Sequence, residues 1–367
     1  MALQTPLFEV HKALGAKFVE FGGWTMPVQY TGAIEEHLAV RETVGMFDVS
    51  HMGRFELVGP DAWAVVQKLT CNDADRLRDN QIQYSALTTP DGTFIDDLTV
   101  YRFNRHFFSL CVNAANREKD YQWISQHLTG YEASLYDVTT RYAQIAIQGP
   151  AAQDVLQGLT DVVLDHIRYY WFDIGEVAGV PRTIISRTGY TGEDGFELYI
   201  PLDRETNAEW MWDRVLEQGR PVGLKPCGLA ARNTLRLEAK MLLYGNDMDE
   251  TTTVLEADLA WIVKFDKGDF IGRDALLRQK EEGLKRKLVG FEVLDRAPAR
   301  EHYSVLIDGQ VIGHVTSGSY APFLKKNIGL TYVPAGFTEI GTRFKIRVRD
   351  REVDTQVVPT PFYKRKK

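Results

Sequence analysis

A chain of 367 residues is long enough for two or three domains and a large buried core. Its 44% hydrophobic and 25% charged residues are ordinary for a globular protein, and a formal charge of −7 argues against broad binding to nucleic acid or membrane surfaces, which are themselves anionic. The opening Met1-Ala2-Leu3-Gln4-Thr5-Pro6 lacks the charged and apolar regions of a signal peptide, and no apolar run approaches a membrane span, so the expectation is a cytoplasmic protein.

In chain order, Leu7 to Leu14 reads as a helix closed by Gly15, and the aromatic, Gly-punctuated stretch from Phe18 to Tyr30 is too irregular to be one. A helix from about Ile34 to Thr43 leads into Gly45-Met46-Phe47-Asp48-Val49-Ser50-His51-Met52-Gly53. Ser50 beside His51 invites a nucleophile-and-base reading, but neighbours on a strand face opposite ways and no third orienting group is evident.

From Arg54 the pattern is regular: strand Phe55 to Val58, helix Ala62 to Leu69, strands Tyr84 to Thr88, Phe94 to Tyr101 and Phe107 to Val112, then a helix from about Asn116 to Leu128. The order recurs in strand Tyr142 to Gln148, a helix after Gly149-Pro150, a hairpin of Phe172 to Val177 and Arg182 to Ser186, strand Gly195 to Ile200, and a helix from Arg204 to Gln218 capped by Asp203. Both stretches read βαβββα with Gly-Pro after the first strand, which predicts two related α+β halves with antiparallel sheets and a ligand cleft between them.

Lys225 to Glu238 opens a helix with Arg232 and Arg236 on one face, and Tyr244 to Glu250 reads as an acidic surface loop. From Leu288 the texture becomes short alternating strands, including a hairpin across Asp308-Gly309 and another near Asp350-Arg351, which predicts a C-terminal β-barrel or jelly-roll-like domain. The terminal Lys364-Arg365-Lys366-Lys367 reads as a solvated tail.

Cys71, Cys111 and Cys227 are isolated thiols, no histidine pair has metal-ligand spacing, and neither a GxSxG elbow nor a Walker A loop occurs. Two stretches carry the remaining chemistry. After the Pro90-Asp91-Gly92 turn, alternation places Asp96 with Leu98 and Val100, at the rim of an apolar face, and Asp97 with Thr99 and Tyr101 on the other face. In Gly189-Tyr190-Thr191-Gly192-Glu193-Asp194-Gly195 the acids oppose a phosphate loop, and beyond it Glu197 and Tyr199 point away from Phe196, Leu198 and Ile200. Each half thus offers an outward carboxylate with a phenol nearby: Asp97 with Tyr101, Glu197 with Tyr199 and Tyr190. Such carboxylates serve as an acid/base pair, grip the N–H groups of a nitrogen-rich ring, or are structural acids at strand ends; composition does not choose.

The motifs Gly23-Trp24-Thr25-Met26-Pro27-Val28-Gln29-Tyr30, Phe47-Asp48-Val49-Ser50-His51-Met52, Ile95-Asp96-Asp97-Leu98, Ile147-Gln148-Gly149-Pro150, Gly189 to Gly195, Gly228-Leu229-Ala230-Ala231-Arg232 and Leu243-Tyr244-Gly245-Asn246-Asp247-Met248 resemble, in order, those of the aminomethyltransferase or T-protein family of the glycine cleavage system. Val315 to Gly318 and Leu324 to Gly329 continue the resemblance, which covers almost the whole chain. It implies two α+β domains, 1–53 with 138–240 and 54–137 with 241–285, a C-terminal β-domain at 286–367, and a central channel for tetrahydrofolate. It also implies that the aminomethyl group on the dihydrolipoyl arm of the H-protein is split, ammonia leaves, and the one-carbon unit becomes 5,10-methylenetetrahydrofolate.

Carried onto this sequence, the family's functional aspartate falls on Asp97 and its pterin-gripping carboxylate on Glu197. The folate-lining positions fall on Met52, Tyr84, Tyr101, Asn113, Tyr190, Tyr244 and Trp261, with Tyr363 a looser match, and Arg232 matches the arginine that reaches the glutamate end. Some relatives place a basic residue where Leu288 stands, with Arg286 or Lys287 as substitutes here. The nearest rival is a folate-dependent demethylase of the same superfamily; a non-catalytic folate-binding relative is expected to carry a cysteine motif that this chain lacks.

Overall fold

In the computed structural model, which describes residues 2–204 and 207–365, the backbone falls into two units. Unit one holds 1–67, 74–84 and 98–233, and unit two holds 68–73, 85–97 and 234–367. The irregular aromatic segment near the start is a hairpin: β2 (Lys17–Phe21) and β3 (Trp24–Gln29) pair antiparallel, and β1 (Leu3–Gln4) adds to β3 in parallel, with α1 (Phe8–Ala13) between β1 and β2. Then follow α2 (Ala33–Glu42) and β4 (Gly45–Asp48).

The first repeat is β5 (Gly53–Val58), α3 (Ala62–Leu69), β6 (Gln81–Thr88), β7 (Phe94–Asn104), β8 (Phe107–Val112) and α4 (Arg117–Gln126), followed by β9 (Ser134–Asp137). The second is β10 (Tyr142–Gln148), α5 (Ala152–Gln157), β11 (Phe172–Val177), β12 (Val180–Ser186), β13 (Gly195–Pro201) and α6 (Asn207–Gly219), followed by β14 (Lys225–Pro226). The sheets run β6-β7-β8-β5-β9 and β11-β12-β13-β10-β4-β14, so the four strands of each repeat stand in the same spatial order. This order also separates the two carboxylates: Asp97 lies on the third strand of its repeat and Glu197 on the fourth of its own, so they are not counterparts.

Gly-Pro after the first strand has one physical cause in both repeats. Gly59 and Gly149 hold φ of +145° and +133°, and a Cβ would lie 2.2 Å from the Glu132 carbonyl oxygen in one case and 2.5 Å from that of Thr43 in the other. The hairpin turn in the second repeat is tighter than the sequence suggests, with Ala178 and Gly179 at its tip and both at positive φ. The predicted start of α6 takes in Glu205 and Thr206, which lie outside the described residues, as do Lys366 and Lys367 of the basic tail. On α6, Ala208, Met211, Trp212 and Val215 recur at helical spacing and are buried, closing a core with Ile145, Ile147, Phe196, Leu198 and Ile200. Each such large side chain contributes about 1.5–3 kcal/mol through burial.

In unit two, α7 (Leu229–Glu238) completes its last turns, and α8 (Arg273–Glu282), unread in the sequence, sits between Gly272 and Gly283 with Leu276 buried. The loop expected at the surface is buried at its centre. Asp247 accepts hydrogen bonds from Arg236 Nη1 (2.6 Å), Leu243 N (3.0 Å) and Thr316 Oγ1 (2.7 Å). Six strands, β15 (Arg286–Val293), β16 (Ser304–Ile307), β17 (Gln310–Ala321), β18 (Lys326–Pro334), β19 (Arg343–Val348) and β20 (Arg351–Val358), close a barrel in the order β15-β18-β17-β16-β19-β20. Asp308 and Gly309, both at positive φ, make the two-residue turn read from the sequence.

Candidate active site

Strand β13 divides its side chains between two environments. Phe196, Leu198 and Ile200 enter the helix-covered core, while Tyr199 packs on the opposite face with Ile82, Tyr101, Cys111 and Phe172, and Met52 lies against that cluster. The outward phenols expected here are therefore buried: Tyr101 and Tyr199 are 2% and 4% exposed. Tyr199 Oη donates to Tyr101 Oη at 2.8 Å, because each hydroxyl removed from water needs a partner.

Glu197, partly buried, sits beside them and is held by register. Ser186 pairs with Glu197 across β12, and Gln144 pairs with Tyr199 across β10, which makes Gln144 a diagonal neighbour of Glu197. Gln144 Nε2 donates to Oε1 at 3.4 Å and Thr188 Oγ1 donates to Oε2. Thr188 Oγ1 meets Ser186 Oγ at 2.7 Å, and Ser186 Oγ meets Tyr101 Oη at 3.0 Å. Burial pushes the Glu197 carboxyl up, partly offset by the Thr188 bond, the Arg232 charge and the Gln144 bond. Burial likewise raises both tyrosines and moves the Cys111 thiol, beside Tyr199, up to about 11.

Behind Gln144 stands Arg54, 1% exposed. Its Nη1 donates to Gln144 Oε1 (2.9 Å) and its Nη2 to the carbonyls of Ser50 (2.9 Å), Thr139 (2.8 Å) and Tyr142 (3.1 Å). No carboxylate pairs with it among the described residues. The Arg232 guanidinium stacks 4.5 Å from the Tyr190 ring centroid.

Ser50, His51 and Met52 lie in a turn after β4, not on a strand. The Ser50 hydroxyl donates to Gln144 O (3.3 Å), and burial, with the Arg232 charge, pushes the His51 ring down to about 3. The Ser50 hydroxyl is thus directed to a backbone carbonyl and not to the His51 ring. The turn is anchored by Asp48, whose Oδ1 accepts Ser50 N (2.9 Å) and whose Oδ2 meets His11 Nε2 (2.9 Å). Burial alone would raise the Asp48 carboxyl, but His11, Ser50 and Thr5 outweigh it and hold it at about 2. The acids of the Gly189 to Gly195 loop are spent on arginines: Arg41 Nη1 donates to Glu193 (2.9 Å) and Arg187 pairs with Asp194.

In unit two, Asp97 is partly buried on β7, whereas Asp96 is fully buried and not at a rim. Tyr244 lies in the loop after α7, Trp261 in the short turn Ala260–Ile262 and 60% exposed, and Tyr363 beyond β20, its N–H donating to Glu238 O at 2.8 Å. These residues share no secondary-structure element. Leu288 is buried; Arg286 donates to Glu256 (3.2 Å) and Lys287 pairs with Asp258 (2.8 Å).

Family models match in two blocks, the GCVT N-terminal domain over residues 7–267 and the glycine cleavage T-protein C-terminal barrel domain over 286–364. Aminomethyltransferases of Desulfitobacterium hafniense (strain Y51) and Acidobacterium capsulatum are 51% and 49% identical, each aligned over 99% of this chain and 98% and 97% of their own. The crystal structure of glycine cleavage system aminomethyltransferase T from Bartonella henselae superposes with a TM-score of 0.92 at 32% identity, over 99% of this chain and 98% of that one. The chain belongs to the glycine cleavage T-protein family. It is, accordingly, an aminomethyltransferase enzyme.

Of the T-protein positions, unit one gathers Met52, Tyr101, Glu197, Arg232 and Tyr190 through the contacts above, and also holds Tyr84 on β6 and Asn113 just after β8. Sequence reading missed Arg54, Gln144, Ser186 and Thr188. The signal was a polar residue inside an apolar strand: Arg54 before Phe55, and Gln144 between Ala143 and Ile145. Among the described residues no helix is long and apolar enough to cross a membrane.

Proposed function

We propose that this T-protein passes the one-carbon unit of the aminomethyl-dihydrolipoyl H-protein to tetrahydrofolate, with release of ammonia and formation of 5,10-methylenetetrahydrofolate, and that it does so in the cytoplasm. The carrying observation is Glu197. It is a carboxylate on a polar strand face, with one donor on each oxygen and lone pairs left for further N–H groups. That chemistry fits the edge of a pterin, and the planar fork of Arg232 fits the carboxylate of the glutamate end. Tetrahydrofolate supplies the nucleophilic nitrogens that take up the carbon.

The residues of the chain supply placement and charge. Asp97 holds a fixed negative charge that stabilises the cationic carbon released from the sulfur arm, or orients the attacking nitrogen. Met52, Tyr84, Tyr101, Asn113, Tyr190, Tyr244, Trp261 and Tyr363 complete the proposed folate surroundings. The domain division 1–53 with 138–240, 54–137 with 241–285, and 286–367 belongs to the same proposal.

The test is turnover with aminomethyl-loaded H-protein. Asp97→Asn lowers transfer by roughly 10²-fold or more with folate affinity little changed; near-normal turnover would reject the role. Glu197→Ala weakens tetrahydrofolate binding first, and unchanged affinity by calorimetry would reject the grip. Methyl transfer from an N-methyl amine, with H-protein inert, would point to a demethylase instead.

A further inference from the structure

Glu197 is served by an internal apparatus that the folate-facing positions do not describe. We infer that Tyr199, Tyr101, Ser186 and Thr188 form a one-directional chain of hydroxyls which, together with Arg54 acting through Gln144, fixes the charge and orientation of the Glu197 carboxylate. The inference rests on the reading of Glu197 as the pterin grip.

The direction of the chain follows from counting protons. A carboxylate only accepts, so the Thr188 hydrogen points to Glu197 Oε2. Thr188 has no second hydrogen, so in the 2.7 Å contact with Ser186 it is the acceptor and Ser186 the donor. Ser186 must then accept from Tyr101 at 3.0 Å, and Tyr101 accepts from Tyr199 at 2.8 Å. All four hydroxyls point toward Glu197, and aligned hydrogen bonds polarise one another. Tyr199, Tyr101, Ser186 and Thr188 are all under 5% exposed, so water does not compete for these bonds. A proton on the Oε2 lone pair that faces Thr188 would require the whole row to reverse.

The other oxygen is held by the same logic. Gln144 can face Glu197 with either end of its amide, and the oxygen end would repel the carboxylate. Arg54 Nη1 takes Gln144 Oε1 at 2.9 Å, which leaves only Nε2 to face Glu197 Oε1. Arg54 is buried with neutral acceptors alone, Asp48 acting on it only through space, and what it hands to Glu197 is the orientation of the Gln144 amide. The titratable and charged groups around Glu197 are Arg232 from α7, Tyr101 from β7, Cys111 from β8 and Tyr199 from β13 itself. Thr188, Ser186, Tyr199, Gln144 and Arg54 are positioning residues, and Tyr101, one of the proposed folate-lining residues, is also a link in the row.

The test reads Glu197 directly. Folate-free protein labelled with ¹³C at the glutamate carboxyl is titrated by NMR, and the Glu197 signal is assigned by its loss in Glu197→Gln. In Thr188→Val the midpoint moves up by about one pH unit, a tenfold change in the ionisation constant. Ser186→Ala, which interrupts the row at a residue outside the proposed folate surroundings, moves it the same way by less, Thr188→Ser restores it, and the KM for tetrahydrofolate rises in step with kcat retained. Midpoints unchanged in both Thr188→Val and Ser186→Ala would overturn the inference. Should Thr188→Val not fold, Ser186→Ala decides. A midpoint that moves while KM does not would leave the chain of hydroxyls standing and overturn the pterin grip.

Discussion

Arg54 in unit one and Arg236 in unit two are each 1% exposed, yet they meet opposite company. Arg236 donates to Asp247 at 2.6 Å and to Ser317 Oγ at 2.8 Å, while Asp247 is further held by Leu243 N and Thr316. Arg54 has four neutral acceptors. Equal burial thus serves two purposes. A directly paired arginine ties a loop to a helix and a barrel strand, whereas one spent on an amide and three carbonyls fixes how the Gln144 side chain faces a neighbouring site. The comparison warns against reading a buried arginine as a structural staple before its acceptors are counted.

The sharpest way to break this contrast is to remove the carboxylate that only one arginine has. Asp247→Asn leaves Arg236 buried without its counter-charge and lowers stability by about 3–5 kcal/mol in urea unfolding. A loss below about 1 kcal/mol would mean that Arg236 is as self-sufficient as Arg54. Next in size, Arg54→Lys keeps the charge but loses the planar fork, costing about 2 kcal/mol because carbonyl acceptors go unmet. It also raises the KM for tetrahydrofolate, which Asp247→Asn does not; equal effects on KM would erase the distinction.

A pH titration of stability sharpens the contrast further. His51 is held near 3 by burial and by the Arg232 charge, with Arg54 contributing the same way and Asp48 opposing. Below about pH 6.5 the unfolded chain takes up a proton that the folded chain refuses until about 3. Stability therefore falls as pH drops through this window, by up to about 1.4 kcal/mol per pH unit from this group. His51→Gln flattens that slope, and an unchanged slope would show that His51 does not stay neutral. The smallest effect belongs to a partly exposed pair on the barrel, Lys326 with Glu292 at 2.8 Å. Lys326→Ala changes unfolding by no more than about 1 kcal/mol.

Periodicity carried much of the fold. The βαβββα repeat was legible because apolar residues alternate at period two in strands such as Ala143, Ile145 and Ile147 and recur at helical spacing in Ala62, Val65, Val66 and Leu69, all of them buried. What periodicity cannot supply is the cover over a strand's second face. Tyr101 and Tyr199 were correctly placed opposite the apolar core of their strands, yet a second layer buries them, so a face that alternation marks as polar need not meet water. Asp247 was misread for a related reason: Gly, Asn and Asp are turn chemistry wherever they occur, and the partners that bury Asp247, Arg236 and Thr316, lie 11 and 69 residues away. Likewise Gln144 gained meaning only once register set it beside Glu197, and Thr188 only once the loop after β12 brought its hydroxyl to the same carboxylate.

The paired Gly59 and Gly149 carry a consequence for how the two repeats can diverge. Each is pressed against a foreign carbonyl at a φ that other residues rarely adopt. A saturation library across the chain would therefore return two silent columns, one per repeat, at the same point of the architecture. Sequence drift can rewrite a strand's side chains, but it cannot enter a place where backbone already touches backbone.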